Sequence, residues 1–145
     1  MEDCSLVAFD SKEQIMDVFH KFWAEARKET EVMEKLAKSQ VVVRFDIEDP
    51  EAHLTINFRD PGPNGESGTL SFESDVEPEI IVWSKSETTN KFWQGKLSTT
   101  VAMARGQVKL QGSVAKALGL LSKIKPLYEI YPRVLKELGL DQLIL

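Results

Sequence analysis

The sequence offers few side chains that could act as a nucleophile, a general base or a metal ligand. Neither His20 nor His53 belongs to a recognised metal-binding pattern, so no metal site is predicted. The single cysteine, Cys4, has no evident base near it and cannot form an internal disulfide. The sequence also lacks G-x-S-x-G, H-E-x-x-H and Walker signatures. We therefore predict neither catalytic residues nor a cofactor, and a hydrolase or transferase is the less favoured class.

The many carboxylates lie in a scattered acidic segment, which indicates solvated surface rather than an acid–base pair. Residues 46–80 contain ten Asp/Glu and one Lys/Arg, whereas residues 81–145 contain four and ten. The net charge of −5 argues against a nucleic-acid partner. Two interpretations of the basic C-terminal part remain. Either it is a solvated face, or it meets anionic headgroups, phosphates or a carboxylate ligand.

The length of 145 residues predicts one domain over 1–145, with a sizeable core. No apolar run approaches the roughly 18 residues that span a bilayer. The N-terminal residues carry acids and lack the basic and apolar regions of a secretory signal. We expect a cytoplasmic protein.

The first half of the chain predicts one long helix followed by four strands. Ser11 and Gln14 have capping-box spacing at the start of the helix. The continuous β-branched run at 80–84 predicts a strand covered on both faces, with the bulk of Trp83 in the interior. The glycine- and proline-rich stretch 60–68 predicts an exposed loop. The expected elements are a helix over 11–38 and strands over 40–48, 53–59, 69–73 and 80–84.

The second half changes to helical periodicity. Ser86 or Thr88 is expected to cap a short helix that ends at Gly95, and Ser98 or Thr99 a second one that ends at Gly106. A fifth strand follows over 107–111, and Ser113 is expected to cap a longer amphipathic helix. Pro126 is expected to stop or kink this helix, and Pro132 to make the last segment either two helical pieces or one kinked piece. The order of elements predicts an α+β fold in two layers, with helices covering one face of the sheet.

Large apolar residues exceed what a thin five-stranded layer obviously needs. They could fill the space between the layers, or they could leave it open for an apolar ligand. Composition does not choose, because dense cores and ligand tunnels use the same residues.

Two segments carry a resemblance to a known family. The run F-W-Q-G-K-L (92–97) is followed by V-A-M-A-R-G-Q-V-K-L-Q-G (101–112) and an L/A-rich helix. This pattern resembles the sterol carrier protein type 2 family, and the C-terminal segment resembles its stand-alone prokaryotic members. The family's Gly-Asp is Gly112–Ser113 here, and Ser caps a helix about as well as Asp. The matching positions are Gly95, Lys96, Ala102, Ala104, Gly106, Val108, Lys109, Leu110 and Gly112.

The resemblance implies a five-stranded, mixed and mostly antiparallel sheet with helices on one face and an apolar tunnel between the layers. It implies a lipid carrier that binds a fatty acid, fatty acyl-CoA, sterol-like lipid or phospholipid without a cofactor, in transient contact with a membrane surface. Lys96, Lys123 and Lys125 are then candidates for the ligand's polar head. The expected ligand-binding residues are Trp83, Phe92, Leu97, Val101, Met103, Leu110, Leu118, Leu121, Ile124, Leu127 and Tyr131.

Two alternatives stay open. The first is a structural module with a filled core, which forms a homodimer through an apolar patch that includes Tyr128 or Leu135. The second is an enzyme acting on a lipid or acyl-thioester, which would need His20 or His53 with a carboxylate inside the cavity.

Overall fold

A computed structural model describes residues 9–60, 62 and 68–145 of the chain. Cys4 and most of the 60–68 loop lie outside the described residues. The helices are α1 (Lys12–Ala26), α2 (Thr30–Ala37), α3 (Ser86–Trp93), α4 (Thr99–Ala104), α5 (Val114–Ile124) and α6 (Ile130–Glu137). The strands are β1 (Val42–Glu48), β2 (Ala52–Asn57), β3 (Thr69–Ser71), β4 (Ile80–Lys85) and β5 (Val108–Gly112). Short 3₁₀ segments cover Lys125–Glu129 and Asp141–Leu143.

The five strands form one mixed sheet in the order β3-β2-β1-β4-β5. Only the central β1–β4 pair among the described strands is parallel, and the other neighbours are antiparallel. In β1, Val43 lies opposite Ile56 of β2 and Ile80 of β4, which aligns apolar side chains on one face. The predicted α+β fold with a mixed, mostly antiparallel sheet is confirmed.

The first helix is shorter than the sequence predicts. The single helix expected over 11–38 is wrong, because α1 ends at Ala26 and α2 begins at Thr30. The amides of Lys28 and Glu29 bond to carbonyls only three residues back, which tightens and closes the helix. After this turn, α2 directs buried side chains of its own towards the core. The predicted start is confirmed, since the Ser11 hydroxyl accepts a hydrogen bond from the Gln14 amide at 3.1 Å.

Of the N-cap residues predicted for α3, α4 and α5, those of α4 and α5 are confirmed. Ser98 and Ser113 cap α4 and α5 as predicted, each through a hydrogen bond from the amide three residues on. The expected cap of α3 by Ser86 or Thr88 is wrong. Ser86 is the first helical residue, and its hydroxyl donates to the Asp49 carbonyl at 2.5 Å.

Strand β4 is covered on one face only, so the expectation of a strand buried on both faces is wrong. Ile80 and Ser84 are buried on the helix side, whereas Ile81 and Trp83 are half-buried on the opposite side. The polar pattern of the neighbouring β1 explains the difference. Arg44 and other polar β1 side chains lie on that opposite face, which therefore faces solvent.

The helices cover the sheet unevenly. Five α1 side chains are buried, whereas only Ile124 is buried in α5. Val114 and Leu118 of α5 remain 49% and 52% exposed. In the C-terminal part, Leu135 is fully buried, so it cannot belong to the exposed dimer patch that the sequence suggested. No helix among the described residues is both long and apolar enough to cross a membrane.

Candidate functional site

The space between the inner face of the sheet and the helices contains a large apolar cavity. All five strands and the helices α1 to α5 contribute to its wall. Its apolar members are Phe19, Phe22, Trp23, Ala26, Met33, Leu36, Val43, Phe45, Ile56, Phe58, Leu70, Ile80, Val82, Phe92, Trp93, Met103, Val108, Leu110, Val114, Ala117, Leu118, Leu120, Leu121, Ile124 and Leu127. The cavity follows from the alternation in the strands, which directs one apolar row of each strand towards the helices.

The centres of water-sized groups can occupy about 120 Å³ of this space. At about 10–15 Å³ for each such group, that corresponds to a chain of roughly ten linked atoms. The cavity reaches the surface at α5, because Val114 and Leu118 line it and are also half exposed. The cavity therefore has room for a flexible apolar molecule, and the partly exposed helix α5 is the place where such a molecule could enter.

The polar lining of the cavity is confined to hydroxyls. Among the described residues, the polar side chains that line it are Ser84, Thr88, Thr89 and Thr99, and none of the lining residues is charged. The Ser84 and Thr89 hydroxyls lie 2.8 Å apart and are hydrogen-bonded. An environment of this kind favours hydrocarbon and disfavours a charged group, which would lose its hydration without gaining a partner.

Seven of the eleven residues predicted to bind a ligand line the cavity. They are Phe92, Met103, Leu110, Leu118, Leu121, Ile124 and Leu127. Their contact with a ligand remains a prediction, but the structure brings them together around one space. The remaining four predicted residues are Trp83, Leu97, Val101 and Tyr131, and they do not belong to the lining.

Two of these four lie at well-defined places elsewhere. Trp83 is on the opposite face of the sheet, where its indole Nε1 donates to the Glu48 carboxylate at 2.9 Å and the Lys109 ammonium lies 4.6 Å from the ring centre. Tyr131 is fully buried in the core, and its hydroxyl donates to Asn90 Oδ1 at 3.0 Å. Burial raises the pKa of the Tyr131 hydroxyl, so it remains a neutral donor.

The other two predicted residues lie near α4. Val101 is 45% exposed on that helix, and Leu97 is half-buried just before it. The periodicity of a six-residue helix does not define which side faces the core, since a shift of one residue turns a side chain by about 100° and decides between the cavity and solvent.

Both histidines lie outside the cavity lining. His20 is exposed on α1, where its ring meets Phe72 edge-on at 5.2 Å. His53 lies on the solvent-facing side of β2 and contacts Asp46 and Glu51. A lipid-transforming reaction inside the cavity therefore cannot use either histidine in this arrangement.

The lysines proposed for a ligand's polar head do not line the cavity either. Lys96 and Lys125 are exposed, and Lys123 is half-buried. Lys123 and Lys125 do flank Ile124, which lines the cavity at the end of α5. Contact between any of these ammonium groups and a head outside the cavity remains a prediction.

The sequence interpretation missed the contributions of the first two helices and of the inner sheet face. Phe19, Phe22 and Trp23 lie at helical spacing on the apolar face of α1 and line the cavity, but they are not among the residues predicted to bind a ligand. That face contributes both to the core and to the cavity wall. The four hydroxyl residues were also missed, because the three threonines lie in helix starts, where short polar side chains are usually taken as caps, and Ser84 ends the otherwise apolar strand predicted over 80–84.

A sequence model of the SCP-2 sterol transfer family matches residues 20–124, which is more than half of the chain. The chain belongs to the SCP-2 sterol transfer family. The matched range extends from α1 to the end of α5, so it contains almost all of the cavity lining. A comparison with curated proteins gives no significant match.

Solved structures share the SCP-2 fold at low sequence identity. Sterol carrier protein 2 from Yarrowia lipolytica, in its apo form, is 15% identical with a TM-score of 0.57, over 77% of this chain and 90% of that one. The sterol carrier protein domain 2 of Helicoverpa armigera is 21% identical with a TM-score of 0.56, over 79% and 87%. These similarities establish the fold that the sequence resemblance implied.

A third similar structure is a much larger protein. The inverting sec-alkylsulfatase Pisa1 from Pseudomonas sp. is 20% identical with a TM-score of 0.51, over 62% of this chain. The chain spans only 14% of that sulfatase. The SCP-2 fold therefore occurs both as most of a small protein and as a small part of a large one.

Proposed function

We propose that this SCP-2 family member is a lipid-binding carrier that holds the hydrocarbon part of its ligand in the cavity between sheet and helices. The observation that carries the proposal is the lining itself, which is apolar apart from four hydroxyl residues and contains no charged side chain among the described residues. We further propose that residues 1–145 act as one lipid-binding domain, without a catalytic role.

Burial of a hydrocarbon chain would supply the main driving force for binding. Each methylene group removed from water contributes about 0.8 kcal/mol. A chain of about ten carbons would therefore gain roughly 8 kcal/mol, from which the costs of association and of ordering the chain are subtracted. Binding of such a chain therefore needs no specific polar contact, and its affinity is weaker than the roughly micromolar value that about 8 kcal/mol alone would give.

A carrier must exchange its ligand with a membrane, and α5 supports that contact. Val114 and Leu118 present apolar surface to solvent next to the cavity. Lys116 and Lys123 lie on the same helix, in the basic part of the chain. Exposed apolar side chains beside lysines favour docking on an anionic bilayer surface.

The alternative function is a structural module with a filled core that forms a homodimer. The half-exposed apolar residues of α5 would also suit a dimer interface. The filled core that this alternative requires has less support, because the cavity leaves about 120 Å³ open to water-sized groups. We therefore rank it second.

Two alanines on α5 allow a matched test of the proposal. Ala117 is half-buried and lines the cavity, whereas Ala115 is exposed and lies outside the lining. We expect Ala117→Phe to fill part of the cavity and weaken the binding of a straight-chain lipid at least tenfold. Ala115→Phe adds the same ring to the solvent side and should leave affinity within about twofold.

The measurement is the titration of the wild type and both variants with fluorescently labelled dodecanoate, supported by native mass spectrometry. Circular dichroism establishes that all three proteins are folded. If the folded wild type binds no straight-chain acid, alcohol or thiol by either method, the proposed function is wrong. Equal affinities for the wild type and Ala117→Phe would place the ligand outside the cavity.

A further inference from the structure

Three hydroxyl side chains meet the cavity where β4 passes into α3. Ser84 is near the end of β4, and Thr88 and Thr89 are in the first turns of α3. All three line the cavity, and their exposures are 7%, 7% and 4%. They are the most buried polar groups in an otherwise apolar wall.

The hydrogen bonds within this group leave lone pairs on the Ser84 oxygen that can accept a further hydrogen bond. The Thr89 hydroxyl donates to the Lys85 carbonyl at 3.3 Å. In this arrangement its single proton is committed to that carbonyl, and Ser84 then donates to Thr89 across their 2.8 Å contact, in which either oxygen can be the donor. The oxygen of Ser84 keeps lone pairs that can accept a hydrogen bond, but it has no proton left to give.

Thr88 is the group that points to a ligand. No described side chain or backbone group forms a hydrogen bond with its hydroxyl, although the residue is more than nine-tenths buried. Leaving a buried hydroxyl unpaired is unfavourable, so a molecule in the cavity that hydrogen-bonds to it gains affinity from this contact. Thr88 can both donate and accept such a bond.

We propose that Ser84, Thr88 and Thr89 form the polar end of the cavity, and that this end binds the hydroxyl of an uncharged long-chain alcohol. The inference rests on the proposed lipid-binding function and specifies its ligand class. An alcohol oxygen can accept from Thr88, and its proton can be donated to Ser84. An ionised carboxylate has no proton for the Ser84 oxygen, and no charged lining residue among those described offsets its loss of hydration.

The test compares dodecanol with dodecanethiol, whose thiol group is a weak donor and a weak acceptor. Both chains bury the same hydrocarbon, so the ratio of their affinities isolates the hydroxyl. We expect the wild type to prefer dodecanol, and Thr88→Val to weaken dodecanol binding roughly three- to tenfold, which is the loss expected for one hydrogen bond. The thiol should bind the variant at least as well as it binds the wild type.

Two further variants separate hydrogen bonding from folding. Thr88→Ser keeps the hydroxyl and should keep the preference for dodecanol. Thr100→Val makes the same substitution at an exposed threonine of α4 outside the cavity lining, and it should change neither affinity. Affinities are read from displacement of a fluorescent straight-chain probe by each ligand.

The outcomes distinguish this inference from the proposed function. If the wild type binds both ligands equally, or if Thr88→Val weakens both by the same factor, the polar end is not a hydroxyl site although lipid binding stands. If Thr88→Val weakens dodecanoate more than dodecanol, the site serves a carboxylate and the inference is wrong. If the wild type binds none of the three, both the function and the inference are wrong.

Discussion

The side-chain amide of Asn90 donates a hydrogen bond to the backbone carbonyl of Leu143 at 2.8 Å. This bond connects α3, whose side chains line the cavity, to the 3₁₀ segment near the end of the chain. Asn90 is fully buried, and its Oδ1 accepts from both Tyr131 and Gln94. Gln94 also donates to the Leu143 carbonyl and accepts from the Leu145 amide. The network holds α3 against the C-terminal segment through residues that do not line the cavity.

Asn90→Leu should lower the free energy of unfolding by about 2–3 kcal/mol, because it leaves the buried Tyr131 hydroxyl without its acceptor. Tyr131→Phe removes only that hydroxyl and keeps the Gln94 contact to Asn90, so we expect a loss of about 1 kcal/mol. Urea unfolding followed by fluorescence measures both values. Equal losses for the two variants would show that Asn90 is not the centre of the network.

Gly112 and Gly106 should respond differently to the same substitution. Both have positive φ, +108° and +74°, where an L-residue is strained. A Cβ at Gly112 would overlap the Glu79 carbonyl oxygen across the β4–β5 pair, whereas a Cβ at Gly106 meets nothing within 4 Å. We expect Gly106→Ala to cost about 1–2 kcal/mol. Gly112→Ala should cost at least about 3 kcal/mol, since overlap adds to strain. Thermal unfolding of both variants tests this order, and a larger loss at Gly106 would contradict it.

The alternation of apolar and polar residues predicted the sheet well. The strands predicted over 40–48 and 53–59 correspond to β1 and β2, and the glycines of the family pattern have positive φ at the ends of α3 and α4 and in the β5–α5 turn. These features depend on local rules, namely the strand period and the freedom of glycine at positive φ. The family resemblance, which rested on the same glycines, is confirmed over residues 20–124.

The errors come from contacts between elements. The break between α1 and α2 has no proline or glycine at 27–29, so the local pattern allowed one continuous helix. Trp83 was expected inside because it follows a continuous apolar run, but the register puts it beside Asp46 of β1, on the polar face. The apolar spacing of α5 did not predict that its side chains are half exposed. Periodicity identifies which face of a helix is apolar, but not how completely other elements bury that face.

Arg44, Asp46, Glu51 and His53 form a charge cluster on the solvent-facing side of the sheet. This cluster should make the free energy of unfolding depend on pH. Hydrogen bonds that His53 donates to the carboxylates of Asp46 and then Glu51 raise the pKa of His53 above its ordinary 6.5. Burial alone would raise the pKa of Asp46, but hydrogen bonds from Arg44 and His53 outweigh it and hold that pKa below 3.8. The His53 contribution is full below about pH 6.5 and is lost as the pH rises through its raised pKa. The Asp46 contribution is present above about pH 4 and is lost in more acidic solution.

His53→Gln should therefore destabilise the protein most at about pH 5 and least at about pH 8. The difference is expected to stay under about 1 kcal/mol, because the His53 side chain is half exposed and its interactions are screened. Urea unfolding at both pH values measures it. In the Asp46→Asn background the same substitution should show a smaller dependence on pH, and an unchanged dependence would assign the effect to another group.

Helix α5 should be the least protected part of the cavity wall and should respond most to ligand. Its side chains bury only Ile124, whereas α1 buries five residues, so α5 can open at a lower free energy than α1. We expect its amides to exchange with deuterium faster than those of α1 in the free protein. Saturating dodecanol adds apolar contacts to Leu118 and Leu121 from inside, and it should slow exchange in α5 by more than in α1. Ala117→Phe serves as the control, because the filled cavity should slow α5 without ligand and reduce the further effect of dodecanol. Equal protection of α1 and α5 in the free protein would contradict the prediction, as would ligand protection confined to α6.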